Sequence, residues 1–161
     1  MKTEPNQKPE AALPPMRFPL QVRHILVPLD FSGASRQALD YAVPLAQKFE
    51  AKITLMHAVP PQIVYPEAGM AVVDEAELTE AAKKTMALRT VELVPPALLK
   101  EAVVRNGRPS AEIVRFAQEQ DVDLIVMTTH GYTGFAHAFL GSTAEQVIRH
   151  APCPVLAVRQ R

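Results

Sequence analysis

Tryptophan is absent and cysteine occurs once among the 161 residues. A lone Cys153 cannot close an intrachain disulfide, so packing must hold the fold, and the chain suits a reducing cytoplasm. Neither sign of charge is in excess: 17 Lys and Arg balance 17 Asp and Glu. That balance argues against duplex nucleic acid or an anionic membrane as the main partner. No apolar run approaches the roughly 18 residues of a membrane span. The five histidines, His24, His57, His130, His137 and His150, show no short ligand spacing with Cys153, and no metal site is expected. Residues 1–20 lack a continuous apolar stretch and mix Lys2 and Lys8 with Glu4, Glu10 and several prolines. They read as a disordered arm rather than a signal peptide. Residues 21–161 suit one domain with one core.

What the chain does contain is an alternation of two periods. Continuous apolar runs at Ile25 to Leu29, Ile53 to Val59, Ala102 to Val104, Leu124 to Met127 and Val155 to Val158 predict strands covered on both faces. Between the first two, Ala34, Ala38, Tyr41, Ala42, Leu45 and Phe49 follow helical spacing behind a Ser32 cap, with Pro44 as a kink candidate. Asp74 to Leu93 gives a looser helix through Ala76, Leu78, Ala82 and Met86. After the Asn106-Gly107-Arg108-Pro109 turn, Ser110 or Pro109 opens a third helix through Ile113, Val114, Phe116 and Ala117. The last helix, from Ser142 to His150, turns Ala144, Val147 and Ile148 inward. Strand and helix in alternation predict an α/β fold, a doubly wound parallel sheet with helices on both faces. Ligands of such sheets bind outside the carboxyl ends of the strands, where the strand order reverses.

Six glycines are few for this length, and three of them, Gly131, Gly134 and Gly141, fall between the fourth strand and the last helix. A strand, a loop with small residues and a helix start make an anion site. The first N–H groups of the helix point outward, and its dipole adds about half a positive charge. Ser142 is also an ordinary N-cap by type, worth about 1 kcal/mol with no ligand at all. Asp30, at the end of the first strand, either faces that loop or caps the next helix. His130 is favoured as a turn residue and His57 as a core or interface residue.

These segments together resemble the universal stress protein family. ILVPLDFSGASRQALDYA is similar to its opening strand and helix, ITLMHAV to its second strand, VRNGRPSAEIV to its third-strand exit, and THGYTGFAHAFLGSTAEQVIRHAPCPVLAVR to its terminal signature. The resemblance runs from about Val22 to Arg159 and implies five strands in the order 3-2-1-4-5. Nucleotide-binding members carry a loop written G-x2-G-x9-G-(S/T). Gly131, the nine residues Tyr132 to Leu140, and Gly141-Ser142 match it, while Thr128 stands at the first glycine. Its Cβ occupies space a backbone would otherwise leave to the ligand, and its hydroxyl can hydrogen-bond instead.

The resemblance implies ATP, or AMP or ADP, as ligand, with Mg2+ as an optional companion. It implies Pro28 and Asp30 beside the adenosine, Asp30 accepting from a ribose hydroxyl, and Ala58 against the adenine. Thr128, Thr129, His130, Gly131, Tyr132, Thr133 and Gly134 would wrap the ribose and inner phosphates. Ser142 and Thr143 would hold the outer phosphates, with Ala144 continuing the wall. No Gly-Lys-(Ser/Thr) ending places a lysine on those phosphates and no second acid accompanies Asp30, so hydrolysis is expected to be slow or absent.

The last strand, with Val155, Leu156, Ala157 and Val158, reads as an edge that tolerates Pro152 and Pro154. The resemblance implies a homodimer through that edge, the alternative being an edge covered by the N-terminal arm. Such a dimer would report nucleotide occupancy to an unidentified protein partner, and the charge balance leaves nucleic acid and membrane out. Two other readings remain open: a nucleotide-independent dimeric scaffold, and a slow ATPase or self-phosphorylating protein with Ser142 or Thr143 as acceptor.

Overall fold

The computed structural model describes residues 21–61, 74–129 and 141–159. Five strands form one parallel sheet: β1 His24–Pro28, β2 Lys52–Val59, β3 Leu99–Asn106, β4 Leu124–Thr128 and β5 Val155–Val158. Their spatial order is β3-β2-β1-β4-β5, as expected. The order reverses between β1 and β4, which lie side by side with Ile25 opposite Leu124 and Leu26 opposite Ile125. The carboxyl ends of these two strands therefore diverge into different loops and leave a crevice.

Successive strand residues point to opposite faces, and the core divides accordingly. Ile25, Val27, Ile53, Leu55, Leu124 and Val126 pack with Ala42, Ala46 and Met86 on one face. Leu26, Met56, Ile125 and Met127 pack with Ile113, Phe116, Ala117, Ala144 and Val147 on the other. Helices α2 Leu39–Phe49 and α3 Glu75–Leu93 cover the first face, and α4 Pro109–Glu119 and α5 Ser142–His150 cover the second. Both faces of the central strands are dry, which is why their sequences are continuously apolar.

Several local expectations are corrected. The helix after β1 is two: α1 Gly33–Gln37 and α2, interrupted at Ala38, with Pro44 inside α2. Its inner face is Ala38, Leu39, Ala42 and Ala46, while Tyr41 and Phe49 are 42% and 39% exposed. Small side chains let the helix lie close to the sheet, and the competing stripe of aromatics is turned outward. On α4 the buried set contains Glu112 instead of Val114, and on α5 Ile148 is exposed. In α3 only Ala82, Met86 and Thr90 are buried, with Leu88 and Val91 outside. β3 is longer than its apolar run and only partly covered, because it forms the opposite sheet edge.

Connections are tied by short polar residues. Asp123 Oδ2 accepts from the backbone N–H groups of Arg23 and His24 at 2.8 and 2.9 Å, joining the start of β1 to the start of β4. Asp121, before it, takes a left-handed φ of 47°, a conformation that short polar side chains tolerate.

His24 is buried at that end of the sheet. Its Nδ1 faces the Gln120 carbonyl at 3.1 Å and its Nε2 meets Thr54 Oγ1 at 2.9 Å. A carbonyl only accepts, so Nδ1 carries the proton and Nε2 accepts from Thr54. Lys100 Nζ, 3.3 Å from Nδ1, is then a repulsive neighbour of any imidazolium. Burial first, and Lys100 in addition, hold the His24 pKa below its usual 6.5 against the opposing Gln120 bond. The unfolded chain therefore takes up this proton first as pH falls, and stability declines below about 6.5 until the folded value is passed. Urea midpoints of the wild type should fall from pH 7.5 to 5.5 more than those of His24→Gln. Parallel declines in the two proteins would refute this source of acid sensitivity.

Candidate functional site

The turn at the end of β1 is held by several hydrogen bonds and a ring contact. Leu29 N–H donates to the Met56 carbonyl at 2.7 Å, extending the β1–β2 ladder one residue beyond β1. The Leu29 carbonyl accepts from His57 Nδ1 at 2.7 Å. Phe31 then adopts φ 62°. For a residue with a Cβ this left-handed backbone costs roughly 1–2 kcal/mol. Its ring stacks on His57, with centroids 4.2 Å apart and planes at 26°, which offsets part of that cost. Asp30 Oδ1 accepts from both the backbone N–H (3.0 Å) and the hydroxyl of Ser32. Ser32 in turn caps α1 by accepting from Ser35 N–H at 3.1 Å. Asp30 thus supports the capping residue and does not cap the helix itself.

The end of β4 supplies the facing wall. Thr128 is buried and pairs with Val158 of β5. Thr129 N–H donates to the Val158 carbonyl at 2.9 Å, and the Thr129 carbonyl accepts from Gly141 N–H at 2.6 Å. Thr129 and Gly141 are thus tied directly to each other. Gly141, not Ser142, is the N-cap of α5, with φ −68° and no side-chain cap bond. Ser142, Thr143 and Ala144 form the first helical turn, whose N–H groups have no acceptor within the helix.

A cavity of about 370 Å3 lies between these two strand ends. Pro28, Asp30 and Ala58 line one side, and Thr128, Thr129, Gly141, Ser142, Thr143 and Ala144 the other. Every sequence candidate within the described residues is therefore brought to one cavity. His130, Gly131, Tyr132, Thr133 and Gly134 lie outside the described residues. Sequence reasoning missed Leu29, Ser35, Met56, Pro60, Pro109, Ile113 and Met127, which also line it. Met56 was legible in principle, since it shares a strand face with Ala58. Pro109 and Ile113 come from α4, whose place over the crevice is a matter of packing.

The cavity is mostly apolar, with polar groups concentrated at Asp30, Thr128, Thr129 and the start of α5. It is of the size and character of a small-ligand site, at the low end of the usual range of roughly 300–1,000 Å3. At Pro60, Pro109, Ser142 and Thr143 it continues into an open groove between α4 and α5. Asp30 is the only carboxylate among its described lining residues. No group of three or more His, Cys, Asp or Glu able to hold a metal ion occurs among the described residues. No helix among the described residues is long and apolar enough to cross a membrane.

A doubly wound sheet with a pocket at its switch point and a helix N-terminus as one wall defines a class of ligand-binding α/β domains. Within that class, the Universal stress protein family model matches residues 21–159, and the chain belongs to this family. It is 34% identical over 143 residues to the universal stress protein MJ0531 of Methanocaldococcus jannaschii, covering 86% of this chain and 82% of that one. Among solved structures, protein MJ0577 of the same organism superposes with a TM-score of 0.76 at 30% identity, covering 88% of this chain and 98% of that one. A universal stress protein in complex with cAMP superposes with a TM-score of 0.64 at 25% identity, covering 86% and 97%.

Proposed function

We propose that this protein binds an adenine nucleotide, ATP or its AMP and ADP relatives, in the cavity between the ends of β1 and β4, and that it holds the nucleotide rather than consuming it. The observation that carries this reading is the pairing of Asp30 with the first turn of α5 across one cavity. A carboxylate suits ribose hydroxyls, which donate, and a helix start suits phosphates, which accept. Pro28 and Ala58 offer an apolar wall for the base. Thr128 and Thr129 also line the cavity, with the ribose and inner phosphates as the groups they would meet. The cAMP complex of a related protein supports the adenine assignment.

Retention rather than turnover follows from the residues. No lysine and no second carboxylate lines the described cavity, so among the described lining residues no side-chain cation meets a leaving phosphate and no second acid orients an attacking water. Magnesium, when it accompanies the nucleotide, would rest on phosphate oxygens and water, with Asp30 as the only carboxylate within the described wall.

The partner surface belongs to the same proposal. β5 sits at the sheet edge, and Val155, Leu156 and Ala157 remain partly exposed in the single chain. Pairing of two β5 edges about a two-fold axis would cover them, giving a cytoplasmic homodimer whose nucleotide occupancy is read by a further protein.

Isothermal titration with Mg-ATP, followed by AMP competition, tests the reading. Saturable heat that AMP displaces is expected, on a species of twice the chain mass by light scattering. No heat and no competition at millimolar nucleotide would reject nucleotide binding, and a monomer mass would reject the dimer.

A further inference from the structure

His57 belongs to none of the groups that line the cavity. Along β2, Met56 and Ala58 line it, and His57 between them points to the opposite face of the sheet. There, among the described residues, its side chain meets two partners, both in the turn after β1. Its Nδ1–H donates to the Leu29 carbonyl at 2.7 Å, and its ring stacks on Phe31 at 4.2 Å. Leu29 and Phe31 flank Asp30 in sequence. The turn could place Asp30 differently if Phe31 left its left-handed backbone, since a rotation there redirects the residues on both sides. The histidine ring holds the residue before Asp30 by its carbonyl and the residue after it by its side chain. Asp30 is then held on its own side by the two Ser32 hydrogen bonds.

We propose that His57 is a positioning residue: through Leu29 and Phe31 it fixes Asp30 in the orientation that reads the ribose hydroxyls of the bound nucleotide. The inference rests on the nucleotide reading above and adds a specificity determinant on the far side of the sheet. Because His57 does not touch the cavity, its removal should spare contacts to base and phosphates and weaken only the ribose contact.

The experiment compares ATP with 2′,3′-dideoxy-ATP, both with magnesium, by titration calorimetry on the full chain. The wild type should prefer ATP by roughly tenfold or more, the scale of a hydrogen bond to a charged group. His57→Phe keeps an aromatic ring against Phe31 but has no donor for Leu29. Its preference should fall to about threefold or less, with dideoxy-ATP affinity within about twofold of wild type. His57→Asn, whose amide nitrogen can stand where Nδ1 stands but which has no ring for Phe31, restores the Leu29 bond alone and should recover part of the preference. Phe31→Asn tolerates the left-handed backbone without the ring, and it tests the stacking contact by the same ratio should His57→Phe not fold. It too should lose part of the preference.

Undiminished preference in His57→Phe and Phe31→Asn would overturn the proposal, as would equal losses for both nucleotides. A wild type that binds ATP and dideoxy-ATP equally would overturn it while leaving nucleotide binding intact. A wild type that binds neither would overturn the nucleotide reading itself.

Discussion

Gly107→Val should be the most damaging single substitution in the turn between β3 and α4, lowering the melting temperature by about 10 °C. Gly107 has φ 146°, a backbone that residues with a Cβ rarely adopt. A Cβ added there would lie 2.7 Å from Oε1, 2.9 Å from Cγ and 3.0 Å from Cδ of Glu112. Glu112 cannot simply swing away. It is buried, and its other oxygen pairs with Arg115, so displacement would leave a carboxylate poorly compensated in the interior. Gly107 N–H also donates to the Val59 carbonyl at 2.9 Å, which prevents the turn from moving outward without losing its tie to β2. Backbone strain of roughly 1–2 kcal/mol and a disturbed buried acid of similar size sum to about 3 kcal/mol. For a domain of this size that is about 10 °C. A double variant, Gly107→Val with Glu112→Ala, should regain the contact part and not the backbone part. A Gly107→Val protein melting within about 2 °C of wild type would show that the turn relaxes freely.

Gly141→Val should have the opposite profile, with nucleotide affinity lost by about a hundredfold or more while the fold persists. The backbone of Gly141, at φ −68° and ψ 148°, is open to any residue. Valine is a poor N-cap, so a stability cost of up to about 1 kcal/mol is expected. Its side chain, however, would enter the cavity at the mouth of the α5 N-terminus, where phosphates must approach the N–H groups of Ser142 and Thr143. A hundredfold loss corresponds to about 2.7 kcal/mol of binding. Gly141→Ala should fall between. Titration calorimetry beside a thermal melt separates the effects, and an affinity within about threefold of wild type would remove the α5 start from the phosphate site.

The contrast between the two glycines bears on how the molecule could be read from its residues. Gly141 announced itself by spacing: strand, loop and helix start follow one another within a short stretch, and an anion site needs only that local succession. Gly107 announced only a turn. Its conflict with Glu112 depends on the burial of an acid that, by type, belongs on the outside of α4. The same difference separates Asp30 from His57. Asp30 ends an apolar run and precedes a helix, a position with known uses, whereas His57 reads as a core or interface histidine because its partners Leu29 and Phe31 belong to another strand's exit and nothing in β2 points to them. Helix faces are ambiguous in the residues for a related reason. In α2 and its lead-in two stripes satisfy helical spacing, and only contact with the sheet selects the alanines over the aromatics.

By itself the sequence determined the periods: five apolar runs separated by helical stretches allow little except a doubly wound parallel sheet. It also determined the chemistry present at the carboxyl ends of the strands, because small residues, hydroxyls and an acid at loop positions are local facts. The tertiary structure alone decided the register in which β1 and β4 pair, that α4 and Met56 complete the cavity, and that Phe31 is held left-handed against His57. Periodicity records how a segment divides its faces between core and solvent. It does not record which distant side chain will stand within a few ångströms, and that is set by packing of the whole chain.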